Sequence, residues 1–318
     1  MEKVLVTGIA GGQGRLLARR LREHFDVCGV DRVPWEDAPR GVEVHVVDLR
    51  KKRFEDVIRT EKPAAIVHLG FLQRFRAGGG RLPGDSARQR YEGLRYDVNV
   101  RGTQLLLEHC ARQSVPHVVV VSGSYVYGAS PENPYDMSER EPLAASRTYP
   151  EMRDLVEIDH VATSFPIHEP DVQVCVLRPV NVLGYSAHST IARYLAMRRV
   201  PTVMGFDPMM QFIHEEDVAE AIFLALEHRL RGVFNVVGPG GVPLHTAIRE
   251  TGGKPVPLPE VLIRPLFTRL FRLGALDVPP GALDYLKYPI TLDGSRFRDA
   301  AQFHPLFGLE EIFHSVGR

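Results

Sequence analysis

The chain predicts an α/β fold, a doubly wound parallel sheet with a smaller C-terminal lobe. Seven short apolar runs carry that expectation, at residues 3–7, 26–31, 42–48, 64–69, 117–122, 172–178 and 233–237. They are rich in Val and Ile with little polar alternation, as strands buried on both faces of a parallel sheet are. Stretches with helical spacing alternate with them, among them 14–24, 98–113 and 150–164. The first run also enters a glycine turn, and Leu16, Leu17 and Leu21 then open a helix.

That turn is the most specific local signal. Gly8 allows the tight turn, and Gly11 lets backbone approach a pyrophosphate. Gly14 lets the helix pack close to the strand, with its N-terminus facing the phosphates. The pattern predicts a grip on a dinucleotide. The second strand closes on Asp31, about twenty residues after Gly8, where an acid can bind the adenosine ribose hydroxyls. A carboxylate there repels a ribose phosphate, which favours NAD over NADP; Arg32 directly after it leaves NADP as the lesser alternative. The third strand ends at Asp48, either a partner for the adenine amine or a solvated strand-end acid.

Residues 71–95 form a long connection with three consecutive glycines at 78–80. They carry Arg74, Arg76, Arg81, Arg88, Arg90 and Arg95. Two readings stand: a solvated loop running into a helix, or a flap over the site that meets an anionic substrate. Beyond Pro179 the composition shifts to Pro- and Gly-punctuated segments. The expected organisation is a dinucleotide-binding unit at 1–178, rejoined by 208–237, and a substrate lobe from 179–207 and 238–318.

The bulk numbers bound the function. A chain of 318 residues that is 44% apolar can bury a large core. A formal net charge of zero argues against a nucleic-acid partner. Cys28, Cys110 and Cys175 are scattered in apolar segments and read as reduced core residues, which suits a cytoplasmic protein. No signal peptide or membrane span is expected. The thirteen histidines show no paired ligand spacing, so no metal site is expected, and there is no GxSxG nucleophile elbow. Over 261–276, Leu266, Phe267, Leu270, Phe271 and Leu273 alternate with Arg264, Arg269 and Arg272. Such a basic amphipathic helix packs on its own lobe or lies on a membrane surface, and the second case would favour a lipid-like substrate.

Landmarks along the chain add a resemblance. They are Thr7 to Gly14, Asp31, Asp48-Leu49, His68-Leu69-Gly70, Asn99-Val100-Arg101-Gly102-Thr103 and Val126-Tyr127-Gly128. Tyr149, Arg178-Pro179-Val180-Asn181 and His214-Glu215-Glu216-Asp217-Val218-Ala219 continue the series. In this order and spacing the chain, from residue 1 to about 237, resembles the extended short-chain dehydrogenases/reductases, which include the NAD-dependent epimerases and dehydratases. The resemblance implies a Rossmann domain with NAD held by Gly8, Gly11, Gln13, Gly14, Asp31, Arg32, Asp48, Leu49, Leu69, Gly70, Asn99, Ser122 and Pro179. It implies a small-molecule substrate near Asn181 and Gln211, and the flap reading of the arginine-rich connection adds Arg74 as a substrate contact. It also implies a homodimer through the helices beginning near Val98 and Pro150.

The family's chemistry uses a Tyr as acid/base, a Lys four residues later, and a Ser or Thr that holds the reacting oxygen. Tyr149 matches the first, and the Lys position is Arg153. A cation about 5 Å from a phenolate, at an effective dielectric of about 20, stabilises it by roughly 3 kcal/mol, or about 2 pKa units. Arg153 could supply that, but it cannot relay a proton. Pro150 pushes Tyr149 out of helical geometry, so the two need not share a face. Counting back from Val126 puts Gly123 where the hydroxyl belongs, with Ser124 or Ser122 as substitutes. Gln211 stands where nucleotide-sugar epimerases carry an Arg for the diphosphate, and an amide cannot replace a guanidinium there, which argues against a nucleotide sugar unless the arginine-rich segment at 74–95 takes over.

The sequence therefore predicts an NAD-dependent oxidoreductase or epimerase-like enzyme acting on a secondary alcohol or ketone, sugar or lipid-like, through Tyr149, Arg153 and Ser124. The alternative is an NAD(H)-binding protein with a degenerate site that works as a sensor or scaffold.

Overall fold

The computed structural model describes residues 1–72, 85–187, 189–272 and 280–316. Its strands are β1 (Lys3–Thr7), β2 (Asp26–Asp31), β3 (Glu43–Val46), β4 (Ala65–His68), β5 (His117–Val121), β6 (Gln173–Pro179), β7 (Asn181–Leu183), β8 (Arg199–Val203), β9 (Met209–His214), β10 (Gly232–Val236), β11 (Gly241–Pro243) and β12 (Lys254–Leu258). The helices are α1 (Gly12–Leu21), α2 (Lys52–Glu61), α3 (Asp85–Tyr96), α4 (Gly102–Arg112), α5 (Ala145–Thr148), α6 (Arg153–His168), α7 (Thr190–Leu195), α8 (Glu215–Glu227), α9 (Leu244–Glu250), α10 (Glu260–Arg272), α11 (Ser295–Ala301) and α12 (Leu309–His314).

Seven parallel strands form the main sheet in the order β10-β6-β5-β4-β1-β2-β3. All seven apolar runs of the sequence lie in it. β1 lies inside the sheet beside the central strand β4, with Leu5 opposite Cys28 on one side and Ile66 on the other. Chain direction reverses its march across the sheet at β1 and β4, which opens a crevice at their C-terminal ends. The strands are fully apolar where helices cover both faces: Val4, Leu5, Val6, Ile66, Val67, Val118, Val119 and Val120 are all buried. β3, at the edge, pairs over only Glu43–Val46, shorter than its apolar run, because it has a neighbour on one side alone.

Helix α1 follows from its residues. Leu17, Ala18 and Leu21 recur on one face and are buried, while Arg19 and Arg20 occupy the last turn, where cations favour the helix dipole. Arg20 grips Glu220 of α8 with two bonds, at 2.6 and 3.2 Å. The 98–113 stretch is helical in two registers: Asp97–Arg101 is a π turn, continued by α4. The 150–164 stretch likewise begins as a 3₁₀ turn, Pro150–Met152, and α6 proper starts at Arg153.

β8, β12 and the sheet β11-β9-β7 lie outside the main sheet. A second apolar cluster joins β8 to the sheet β11-β9-β7, with Leu183, Leu195, Phe212, Ile248 and Phe313 fully or almost fully buried. The chain returns to the main sheet with α8 and β10, and Phe297 and Phe303 of the C-terminal segment pack into its core. On α10, Ile263 and Phe271 are buried while Val261, Leu262 and Leu266 face outward. Its Arg264 pairs with Asp284 at 2.7 Å. Among the described residues, no helix is long and apolar enough to cross a membrane. Arg74 and the 78–80 glycine run, together with Leu273, lie outside the described residues.

Candidate functional site

The crevice is floored by crossing backbones. Gly8 has φ +75° and donates its N–H to Val30 O at 2.8 Å. A Cβ on Gly8 would stand 2.9 Å from Gly70 Cα, so the ends of β1 and β4 approach as only glycine allows. A Cβ on Gly14 would stand 2.3 Å from Gly8 O, which sets α1 directly against the strand end. Gly29 on β2 does a similar service for Ile9, whose Cδ1 would lie 2.2 Å from a Cβ there.

Helix α1 opens toward this crevice with no side-chain cap and no acidic residue in its first turn. Its leading N–H groups and dipole suit an anion. The turn at 184–186 lies against the same place: a Cβ on Gly12 would meet Ser186 O at 2.6 Å. Ser186 N–H bonds Glu215 Oε1 at 2.8 Å, and Gln13 Nε2 bonds Glu215 O at 3.0 Å.

Asp31 ends β2 with its carboxylate turned to the glycine turn. Oδ2 accepts from Ala10 N–H at 3.0 Å, and Oδ1 accepts from Arg32 N–H at 2.7 Å. Half-buried and held by backbone, it keeps lone pairs for a diol. Arg32 points into solvent beside it. Asp48 is already engaged: Arg50 reaches it through Nε at 2.9 Å and Nη2 at 2.7 Å, and also pairs with Asp97. The Arg50 guanidinium holds the Asp48 carboxyl down, to about 2. Leu49 Cδ1 would lie 3.6 Å from a Cβ on Gly70, and Leu69 N–H bonds Thr7 O at 3.2 Å.

Behind the crevice a buried relay fixes β4. Thr103 Oγ1 donates to Asn99 O at 2.5 Å, so it accepts from His68 Nε2 at 3.0 Å. His68 Nδ1 then accepts from Thr7 Oγ1 at 2.6 Å, and Thr7 Oγ1 accepts from Gly70 N–H at 3.3 Å. Burial alone drives the His68 imidazole down to about 3, so it is neutral. Asn99, on the π turn, clamps Leu72: its Oδ1 accepts from Leu72 N–H at 2.7 Å and its Nδ2 donates to Leu72 O at 3.1 Å. The same Nδ2 donates to Asp154 Oδ2 at 2.6 Å, and Asp154 is paired with Arg95 at 2.5 Å. π turns of this kind recur at functional sites.

Tyr149 is buried within reach of the Arg95 charge of this network. Its φ of −135° and ψ of 81° cap the 3₁₀ turn that Pro150 starts, so it lies outside the helix, as the proline requires. Arg153 is the first residue of α6 and is exposed, while the next residue, Asp154, is buried. Tyr149 is covered by the segment Pro280–Leu286: its ring is edge-on to Tyr285 at 5.8 Å, and a Cβ on Gly281 would meet it at 3.0 Å. Burial pushes the phenol well above its ordinary value of 10; Glu151 and Tyr285 add to this, and Arg95 opposes it. Among the described residues, Arg95 of α3 is a cation that acts on Tyr149.

The hydroxyl side also has its own geometry. Ser122 ends β5 with its N–H on Leu177 O, and its Oγ is buried without a hydrogen-bond partner among the described residues. Ser124 is buried at the start of the turn Ser124–Tyr127. Gly123 lies between them, and the Tyr125 ring fills the space beside it: a Cβ on Gly123 would meet Tyr125 Cε1 at 2.3 Å. Tyr285 Oη donates to Tyr125 O at 2.9 Å, so one tyrosine from the C-terminal segment touches both Tyr125 and Tyr149.

On the substrate side, Pro179 is buried in β6 opposite Val236. Asn181 Nδ2 donates to Gln211 O at 3.0 Å. The Gln211 amide is consumed by backbone, donating to Leu292 O at 3.1 Å and accepting from Leu292 N–H at 2.8 Å. It staples the C-terminal segment to β9. Beneath the site, Arg178 and Asp159 form a buried pair at 2.6 and 2.9 Å, and Arg178 also donates to Tyr127 Oη at 2.8 Å.

Sequence reasoning passed over Asp154, Asp159, Tyr125 and Tyr285, and it read Arg95 only as part of the arginine-rich connection, not as the partner of Asp154. Their buried charges and rings gain meaning only through partners far along the chain. Glu43, His45 and Glu61 also bring three potential ligand atoms within 4.8 Å of one another, yet Glu61 is already neutralised by Lys3 at 2.8 Å.

A central parallel sheet of this order, a glycine turn at its switch point and an acid closing β2 define a Rossmann-type dinucleotide-binding protein. The chain belongs to the NAD-dependent epimerase/dehydratase family, whose model matches residues 4–237. An uncharacterized protein of Mycobacterium tuberculosis, Rv0501, is 30% identical over 99% of this chain and 83% of its own length. Among solved structures, the Thermus thermophilus UDP-glucose 4-epimerase complex with NAD has a TM-score of 0.75 at 22% identity, covering 99% of this chain and 97% of that one. MoeE5 in complex with UDP-glucuronic acid and NAD has a TM-score of 0.73 at 24% identity, covering 98% of this chain and 97% of that one.

Proposed function

We propose that the protein is an NAD-dependent oxidoreductase that reduces a ketone, or oxidises the matching secondary alcohol, at the C-terminal ends of β1, β4 and β5. The observation that carries this is the joint placement of an uncapped α1 N-terminus, the Gly8–Gly70 crossing and the Asp31 carboxylate on one crevice. These residues fit a dinucleotide: α1 takes the pyrophosphate, Asp31 takes the adenosine ribose, and the buried, unpartnered Ser122 hydroxyl faces a missing polar group. When bound, NAD(H) supplies the hydride exchange.

Tyr149 supplies the proton. Its burial, with Glu151 and Tyr285 nearby, holds the phenol protonated at neutral pH. A protonated phenol can give its proton to the alkoxide that forms when a carbonyl is reduced, and the phenolate left behind can take one back in the reverse oxidation. Gln211 argues for a substrate other than a nucleotide sugar, since its amide is committed to Leu292 and leaves no guanidinium for a diphosphate. A neutral ketone of modest size, sugar-like or lipid-like, fits this better than the UDP-sugars bound by the solved neighbours.

The test is NADH oxidation with cyclohexanone, acetophenone, a keto-sugar and a long-chain ketone, using Tyr149→Phe as the control. Turnover that falls about 100-fold or more in Tyr149→Phe, with NADH affinity unchanged, supports the reading. A second reading rests on the filled space at Gly123 and the exposed Arg153: an NAD(H)-binding protein without turnover. NADH binding with no oxidation by any ketone would favour that one.

A further inference from the structure

The missing hydroxyl has a replacement. Residue 123 is glycine, and the direction in which a side chain would leave it is taken by Tyr125. A Cβ on Gly123 would meet Tyr125 Cε1 at 2.3 Å, Cδ1 at 2.8 Å and Cζ at 3.0 Å. The Tyr125 ring therefore stands where a side chain on residue 123 would begin, and its phenol oxygen is carried one bond beyond Cζ.

We propose that Tyr125 is a catalytic residue that donates its phenol hydrogen bond to the reacting oxygen of the substrate, in place of a Ser or Thr at position 123. The proposal rests on the oxidoreductase reading above and adds a residue to it.

Three further observations support the placement. Burial raises the Tyr125 phenol, with the carboxylates of Asp159 and Asp154 adding to it, and Asp154's partner Arg95 acts on Tyr149. Tyr285 bridges the two, with its hydroxyl on Tyr125 O and its ring against Tyr149. The Tyr125 phenol has no hydrogen bond to another described residue, whereas the Tyr127 phenol two positions on is fully used by Arg178 and Asn235. A phenol that is shielded, ring-locked and unspent is available to a ligand.

Gly123 and Tyr125 are therefore one device. The ring needs the glycine, because any Cβ at 123 overlaps it, and the glycine leaves position 123 itself without a hydroxyl unless the ring brings one.

The experiment measures kcat and NADH affinity on the ketone set above for wild type, Tyr125→Phe, Tyr125→Ala and the double variant Gly123→Ser with Tyr125→Ala. Tyr125→Phe keeps the ring and its packing and removes one oxygen. The expected result is a loss of about 100-fold in kcat for Tyr125→Phe, with NADH affinity within twofold of wild type. The double variant, which restores a hydroxyl at 123 into vacated space, is expected to recover at least about tenfold over Tyr125→Ala. A merely structural ring would not be rescued in this way. Wild-type turnover with Tyr125→Phe within threefold of it would overturn this inference and leave the oxidoreductase reading intact. NADH binding without turnover in wild type would overturn both.

Discussion

Gly8 and Gly70 touch: a Cβ on Gly8 would stand 2.9 Å from Gly70 Cα, and Gly8 already holds φ +75°. The Gly8→Ala variant therefore suffers backbone strain and a collision with backbone that cannot swing aside. Together these should lower stability by about 3 kcal/mol. Chemical denaturation checks the number, and NADH titration of the folded fraction should show weakened binding as well. A variant as stable as wild type would mean that the two strand ends part easily.

Asp31 offers the dinucleotide a carboxylate whose position is set by Ala10 and Arg32 N–H groups. Removing it in Asp31→Ala should weaken NADH binding by about 30-fold, the worth of charged hydrogen bonds of about 2 kcal/mol. The same change removes repulsion toward a ribose phosphate and leaves Arg32 free to meet one. The ratio of NADPH to NADH affinity should thus rise further than the NADH loss alone explains. Parallel titrations with the two cofactors decide this.

His68 makes stability depend on pH. Its imidazole falls from 6.5 to about 3 on burial, so between those values the unfolded chain binds a proton that the folded chain does not. Stability contributed here is complete above pH 6.5 and falls as pH drops toward 3, by up to about 1.4 kcal/mol per pH unit. Burial lowers His109 and His117 too, and they act in the same direction. Denaturation midpoints at pH 7, 6 and 5 should decline more steeply for wild type than for His68→Asn. Equal slopes would place the acid sensitivity elsewhere.

Arg178 and Asp159 are both almost completely buried. Asp159→Asn leaves the guanidinium without its counter-charge, and the expected loss is about 3–5 kcal/mol. Tyr127 should lose its ordered bond to Arg178 at the same time, which a crystal structure or tyrosine fluorescence would report. A change below about 1 kcal/mol would show that Glu139 O and Tyr127 suffice to hold the cation.

Much of this fold is legible because its strands are buried on both faces. Nothing polar interrupts Val118, Val119 and Val120, and such runs have few alternative conformations. The glycine turn is legible because Gly8 and Gly14 answer local steric demands. Pro150 likewise announces that Tyr149 leaves the helix. The site's polar groups are harder to read, because their roles depend on distant partners. Gln211 is explained only by Leu292, and Gly123 only by the Tyr125 ring beside it, whose carbonyl in turn holds Tyr285. Asp48 looks like a ligand-facing acid until Arg50 folds back on it. Periodicity reports which face a residue takes, and it carries no information about which of several charges will meet there.

The cover over Tyr149 has a consequence for how the protein is made. A ribosome delivers Gly8, Asp31 and Gly70 early, together with the first helix that faces the phosphates, so the dinucleotide cradle can begin to assemble on the emerging chain. Tyr149 stays uncovered until Gly281 and Tyr285, far later in the chain, leave the exit tunnel. The nascent protein thus acquires its nucleotide floor long before its reaction chamber, and a chain interrupted between those two moments has no sheltered place for its tyrosine to work.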